Sequence, residues 1–127
     1  MDAGKTSAGC AILARFRRAG FLVDAFKATG VSTRRDILAM EDAGARNTMI
    51  FGDLGAVATT AVNGPSLTKV MLSELVKAQP DVILFELGDG LLGDYGVEAI
   101  LAQGEAFGPL AVLLSQVCGR RLSRRDV

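Results

Sequence analysis

The chain lacks histidine entirely and has only two cysteines, Cys10 and Cys118, which lie far apart in its 127 residues. Without histidine, a Cys/His zinc site and a histidine-dependent catalytic triad are both excluded. Two distant cysteines do not form a disulfide framework, and Cys10 is interpreted as a small buried hydrophobe rather than as a nucleophile. Thiol, imidazole and zinc chemistry are therefore not expected.

A surplus of charge is also missing, because Lys plus Arg and Asp plus Glu number 14 each. This balance predicts no bulk attraction to nucleic acid or to an anionic membrane. A signal peptide and an apolar run of about 18 residues are absent too, which is typical of a soluble cytoplasmic protein. Arginines crowd the end of the chain, and we expect residues 119–127 to be a disordered basic tail beside a single domain, residues 1–118.

Helical and extended patterns alternate along the sequence, mostly with short connections between them. The run at residues 81–86, four apolar residues bounded by charges, predicts a strand buried on both faces of a sheet. Residues 52–64 are rich in glycine and alanine and are interpreted as a loop with helical turns. The fold class expected is α/β, an open and mostly parallel sheet with helices on both faces. The predicted helices are 6–20, 34–45, 65–78 and 95–103, and the predicted strands are 21–27, 48–51, 81–86 and 110–114.

The start of the chain matches the second half of a phosphate-binding loop, G-x-x-x-x-G-K-[ST]. In such a loop backbone N–H groups wrap the phosphates, the lysine reaches the terminal ones and the next hydroxyl holds Mg²⁺. The first glycine and the strand before it would precede Met1, so we expect the natural protein to be longer. The alternative is an ordinary helix N-terminus with a solvated lysine. The predicted cofactor-binding residues are Ala3, Gly4, Lys5, Thr6 and Ser7.

Polar residues and glycines follow two of the predicted strands, where ligands of parallel sheets gather. Lys27, Thr29 and Gly30 follow the first complete strand. Glu86 and Gly88 follow the strand at 81–86, and the glycines there allow a ligand to approach the backbone. Taken singly, Glu86 and Lys27 are better explained as solvated strand ends. Together with the phosphate loop they predict one crevice, with Glu86 or Asp89 as the carboxylate for Mg²⁺.

The segments DAGKTS, FKATG and VILFELGDGL together resemble the dethiobiotin-synthetase-like branch of P-loop proteins, in the class that contains the MinD-like ATPases. The resemblance covers about residues 1–92, and only the phosphate loop is specific by itself. It implies substrate contact at Lys27 and Thr29, and metal contact at Thr6 and Glu86. Leu87 and Asp89 stand where the synthetase pattern has small residues, so biotin chemistry is not part of the expectation.

Two functions remain open. The first is an ATP-binding, Mg²⁺-dependent enzyme that carries out ligation or phosphoryl transfer on a small molecule, with Lys5 and Lys27 as catalytic residues and Lys27, Thr29, Gly30 and Gly88 as substrate contacts. The second is a regulatory module in which nucleotide controls partner binding or homodimer formation without fast turnover. An inactive fragment is the third alternative, and the sequence does not separate ATP from GTP.

Overall fold

The computed structural model of the protein describes residues 4–88 and 93–103. Within these ranges the predicted α/β fold class is confirmed. Three parallel strands form an open sheet in the order β2-β1-β3. The strands are β1 (Val23–Thr29), β2 (Thr48–Ile50) and β3 (Val82–Leu87), and the helices are α1 (Lys5–Arg18), α2 (Arg35–Asp42), α3 (Gly64–Val76) and α4 (Val97–Ala102).

The helices cover both faces of this sheet. Helices α1 and α2 contact each other, and so do α3 and α4. Helix α2 connects β1 to β2. Helix α3 connects β2 to β3, and these two strands flank β1 on opposite sides. Because connections between parallel strands are right-handed, these two crossovers place α2 and α3 on opposite faces.

The strand β1 is the centre of the core. All seven of its residues are buried, and Phe26 stacks on Phe85 of β3 with ring centroids 5.1 Å apart. Leu13 of α1, Met40 of α2 and Met71 of α3 complete the same apolar cluster. Helices α1, α2 and α3 thus each contribute apolar side chains to the core.

The strand predicted at residues 81–86 is present as β3, but the prediction that it is buried on both faces is wrong. Every residue of β3 is only half-buried. The physical reason is position, since β3 is an outer strand of the described sheet whereas β1 has a neighbour on each side. The fully buried strand is therefore the one whose sequence, VDAFKAT, includes an aspartate and a lysine.

Other boundaries follow the predicted ones closely. The loop predicted at residues 52–64 begins with a short 3₁₀ helix, Phe51–Leu54. Helix α3 carries Pro65 in its first turn, where a missing N–H costs no hydrogen bond. The predicted strand at residues 110–114 and the predicted tail at 119–127 lie outside the described residues. Among the residues described, no helix combines the length and apolar composition needed to cross a bilayer.

Candidate functional site

Helix α1 begins at the predicted phosphate loop. Gly4 precedes it with φ +67°, a left-handed conformation that favours glycine, and the N–H of Ala8 donates to the Gly4 carbonyl at 2.9 Å. From Gly4 onward in the described part of the chain, no side chain caps this end, and the first turn of the helix contains no acidic residue. The first N–H groups of the helix and its positive dipole end are therefore suited to an anion. Lys5 is half-buried beside them, Ser7 is exposed, and Ala3 lies outside the described residues.

The hydroxyl of Thr6 and the carboxylate of Glu86 meet at this end of the sheet. The Thr6 hydroxyl lies 3.0 Å from one carboxylate oxygen and 3.1 Å from the other, and it acts as the donor. The two residues are 80 positions apart in the sequence. The fold therefore brings the predicted phosphate loop to the carboxyl end of β3.

Burial raises the pKa of Glu86, and the negative charge of Asp36 adds to this shift. The hydrogen bond from Thr6 and the positive charges of Lys27 and Lys5 act in the opposite direction. Both lysine ammonium groups thus lie within electrostatic range of the same carboxylate. The charged side chains of three separate elements are gathered around Glu86.

Lys27 is held at this site by an ion pair. It is the register partner of Glu86 across β1 and β3, and its ammonium lies 2.7 Å from a carboxylate oxygen of Asp36 in the first turn of α2. Lys27 is only 7% exposed, so the interpretation of this residue as a solvated strand end is wrong. Sequence reasoning missed Asp36. Its signal was an acidic residue in the first turn of the helix that follows the strand.

Thr29 and Gly88 join the ends of β1 and β3. The Thr29 hydroxyl donates to the Gly88 carbonyl at 2.9 Å, so in this structure it is engaged within the fold. A Cβ added to Gly88 would lie 2.6 Å from the Thr29 carbonyl oxygen. A Cβ on Gly30 would lie 3.5 Å from Cε of Lys27. The predicted substrate residues Thr29, Gly30 and Gly88 therefore lie next to one another. Gly30 also lies next to the side chain of Lys27.

Replacing Gly88 by alanine is expected to destabilise the protein by about 2 kcal/mol, because the new methyl group would collide with backbone and separate β1 from β3. Urea denaturation measures the change. Gly9→Ala is the matched control, since a Cβ at Gly9 would meet Leu84 at an ordinary 3.6 Å and alanine favours a helix interior. Equal stability of Gly88→Ala and the wild type would contradict the close approach.

Thr59 is a second residue that the sequence did not reveal. The Gly30 N–H donates to its hydroxyl at 3.0 Å, and the hydroxyl donates to the Tyr95 carbonyl at 2.8 Å. Thr59 lies in the connection before α3 and is fully buried. It fixes the turn after β1 against the segment before α4, and only the tertiary structure shows this role.

The environment of Cys10 opposes a reactive thiolate. Burial raises the pKa of this thiol, and the negative charges of Glu86, Asp36 and Asp42 raise it further. The interpretation of Cys10 as a small hydrophobe agrees with its packing against the core cluster.

The oxygen donors at the site are few. Among residues 4–88 and 93–103, no three His, Cys, Asp or Glu side chains lie close enough to hold a metal ion. Mg²⁺ commonly takes one or two protein oxygens, several waters and nucleotide phosphates. The Thr6 hydroxyl and the Glu86 carboxylate fit that pattern, in which nucleotide supplies further ligands. Asp89, the alternative carboxylate, lies outside the described residues.

A groove of about 380 Å³ lies elsewhere, along the second half of α1. Ile12, Phe16 and Phe21 form much of its wall, together with Arg15 and Ala19. None of the predicted site residues contributes to it. The start of α1 remains the place where charged side chains and backbone N–H groups converge.

Comparisons with protein-family models, with curated proteins and with solved structures found no match to this chain.

Proposed function

We propose that the protein binds ATP with Mg²⁺ at the start of α1 and uses it in ligation or phosphoryl transfer on a small carboxylate or amine substrate. The free N–H groups of the first turn receive phosphate oxygens, and Lys5 balances their charge. The proposal places the chain in the cytoplasm, where this nucleotide is available.

The contact between Thr6 and Glu86 carries the proposal. Thr6 was selected as the hydroxyl that follows the phosphate-loop lysine, and Glu86 as the carboxylate that follows a buried strand. They lie within hydrogen-bond distance despite their separation in the chain. These two oxygen donors would hold Mg²⁺, which when bound neutralises charge on phosphate oxygens. A helix N-terminus alone would not require a carboxylate at this point.

The substrate side of the proposed site lies at the end of β1. Lys27 provides a cation there, and Gly30 borders its side chain, whereas Gly88 packs against the backbone of Thr29. During transfer Lys5 and the first N–H groups of α1 would stabilise negative charge on the phosphoryl group, and Lys27 would contact the same group from the side on which the substrate arrives. This assignment makes Lys5 and Lys27 the catalytic residues of the proposed reaction.

Removal of the Thr6 hydroxyl tests this proposal. We expect Thr6→Val to lower the affinity for ATP in the presence of Mg²⁺ by about tenfold or more, because a hydrogen-bonding and metal-binding oxygen is replaced by a methyl group. Glu86 would also lose the hydrogen bond that opposes its raised pKa, and would ionise less readily. Titration calorimetry with and without Mg²⁺ measures the change in ATP affinity and its dependence on the metal.

Thr6→Ser is the matched control, since it keeps the hydroxyl, and its affinity should stay close to that of the wild type. Two results would refute the metal role of Thr6. One is undiminished Mg²⁺-dependent binding by Thr6→Val, and the other is an equal loss in Thr6→Ser.

A further inference from the structure

Asp36 and Lys27 form the most buried ion pair at the proposed site. The side chain of Lys27 is 9% exposed and that of Asp36 is 24% exposed, and the two charged groups are 2.7 Å apart. Lys27 is the register partner of Glu86 across β1 and β3. The pair therefore lies beside the proposed position of the metal, although the phosphate-loop motif does not include Asp36.

The ammonium of Lys27 has more donors than the described structure uses. A lysine ammonium carries three N–H donors. In the described part of the chain, Lys27 makes one side-chain hydrogen bond, to Asp36. A nearly buried ammonium with donors to spare is suited to the oxygen atoms of an anionic ligand, provided that something keeps it in place.

We propose that Asp36 is a positioning residue, which holds the Lys27 ammonium at the crevice so that its remaining N–H donors reach the anionic ligand. This inference rests on the proposed function, because the ligand is the phosphate group of bound ATP. Asp36 is itself fixed in the first turn of α2, where the helix dipole stabilises a carboxylate. It acts on the ligand through Lys27 and does not contact it.

The sign of the effect distinguishes positioning from simple charge. If Lys27 stayed in place, removal of the Asp36 charge would make the crevice more positive and tighten the binding of an anion. If Asp36 holds Lys27, its removal leaves a buried ammonium without its partner, and the flexible side chain moves toward water. Affinity for the anion then falls.

The test is calorimetric titration of Mg²⁺ and ATP into the wild type, Asp36→Asn, Lys27→Met and the double variant. We expect each single variant to weaken binding by about tenfold, and the double variant to be no weaker than Lys27→Met alone. Asp36→Glu should recover part of the affinity, since its carboxylate can still reach the ammonium. Asp42→Asn, which removes an exposed carboxylate from the same helix, is the control and should bind as the wild type does.

A nitrogen-15 NMR spectrum of the lysine side chains gives a readout that does not depend on ATP. We expect a slowly exchanging ammonium signal that is lost in Lys27→Met and in Asp36→Asn but is present in Asp42→Asn. Tighter or unchanged ATP binding by Asp36→Asn, additive losses in the double variant, or an unchanged ammonium signal in Asp36→Asn would overturn the positioning role. If the wild type shows the ammonium signal but binds no ATP, the proposed nucleotide function fails instead, and the inference about the ligand fails with it.

Discussion

Replacement of Lys5 by alanine is expected to reduce the affinity for ATP in the presence of Mg²⁺ by about a hundredfold or more. Hydrogen bonds to charged groups contribute about 1.5–3 kcal/mol each, and the Lys5 ammonium would make more than one with phosphate oxygens. Lys5 is half-buried at the first position of α1, and in the described structure it takes part in no ion pair. Its positive charge lowers the pKa of Glu86, the neighbour of Thr6 at the proposed site.

Calorimetry and thermal unfolding together separate loss of binding from loss of structure. Alanine is the best helix former, so Lys5→Ala should unfold at the wild-type temperature. Lys69→Ala removes an exposed lysine from α3 and should leave ATP affinity unchanged. Wild-type affinity in Lys5→Ala would exclude Lys5 as the phosphate-binding lysine.

Replacement of Asp24 by alanine is expected to destabilise the fold by about 3 kcal/mol, a large part of the stability of a small domain. The Asp24 side chain is fully buried in the first half of β1. It accepts hydrogen bonds from the Arg46 guanidinium at 3.1 and 3.0 Å, and from the backbone N–H of Asn47 at 3.1 Å. Without the carboxylate, these donors at the start of β2 lose their acceptor.

Urea denaturation of Asp24→Ala and Asp24→Asn measures this contribution. The amide of Asn keeps one acceptor and should lose less stability than alanine does. Glu74→Ala breaks an exposed pair with Lys77 on the surface and should change the unfolding free energy little. A loss in Asp24→Ala as small as that in Glu74→Ala would show that the buried pair is not a structural anchor. Asp24 lies in the first half of β1, whereas the proposed ATP site is at the carboxyl end of the strand. Binding of ATP by the folded fraction should therefore be unaffected.

The sequence pattern was sufficient to predict where the helices and strands occur. It was not sufficient to predict the order of the strands in the sheet or how deeply each strand is buried. Helix α3 and strand β3 occur close to the predicted residues because apolar spacing and glycine or proline signals are local. Burial depends on neighbours in the sheet, which no local signal specifies. The aspartate and the lysine of β1 are buried because each has a charged partner from another part of the chain.

The same distinction applies to the candidate site. Thr6 was selected from the phosphate-loop pattern, and Glu86 and Lys27 because residues that follow parallel strands meet at one edge of the sheet. The structure brings the three together there. Asp36 and Thr59 were missed because their roles are pairwise contacts across elements. The extra residue in β1 between Lys27 and Thr29, which shifts the register against β3, was equally invisible in the sequence.

The binding of ATP to the wild-type protein, measured by titration calorimetry with Mg²⁺ and with a chelator in its place, tests the central proposal most directly. We expect saturable binding of one nucleotide per chain that weakens when Mg²⁺ is removed, because Thr6 and Glu86 act through the metal. Absence of binding under both conditions, or binding of equal strength without Mg²⁺, would contradict it.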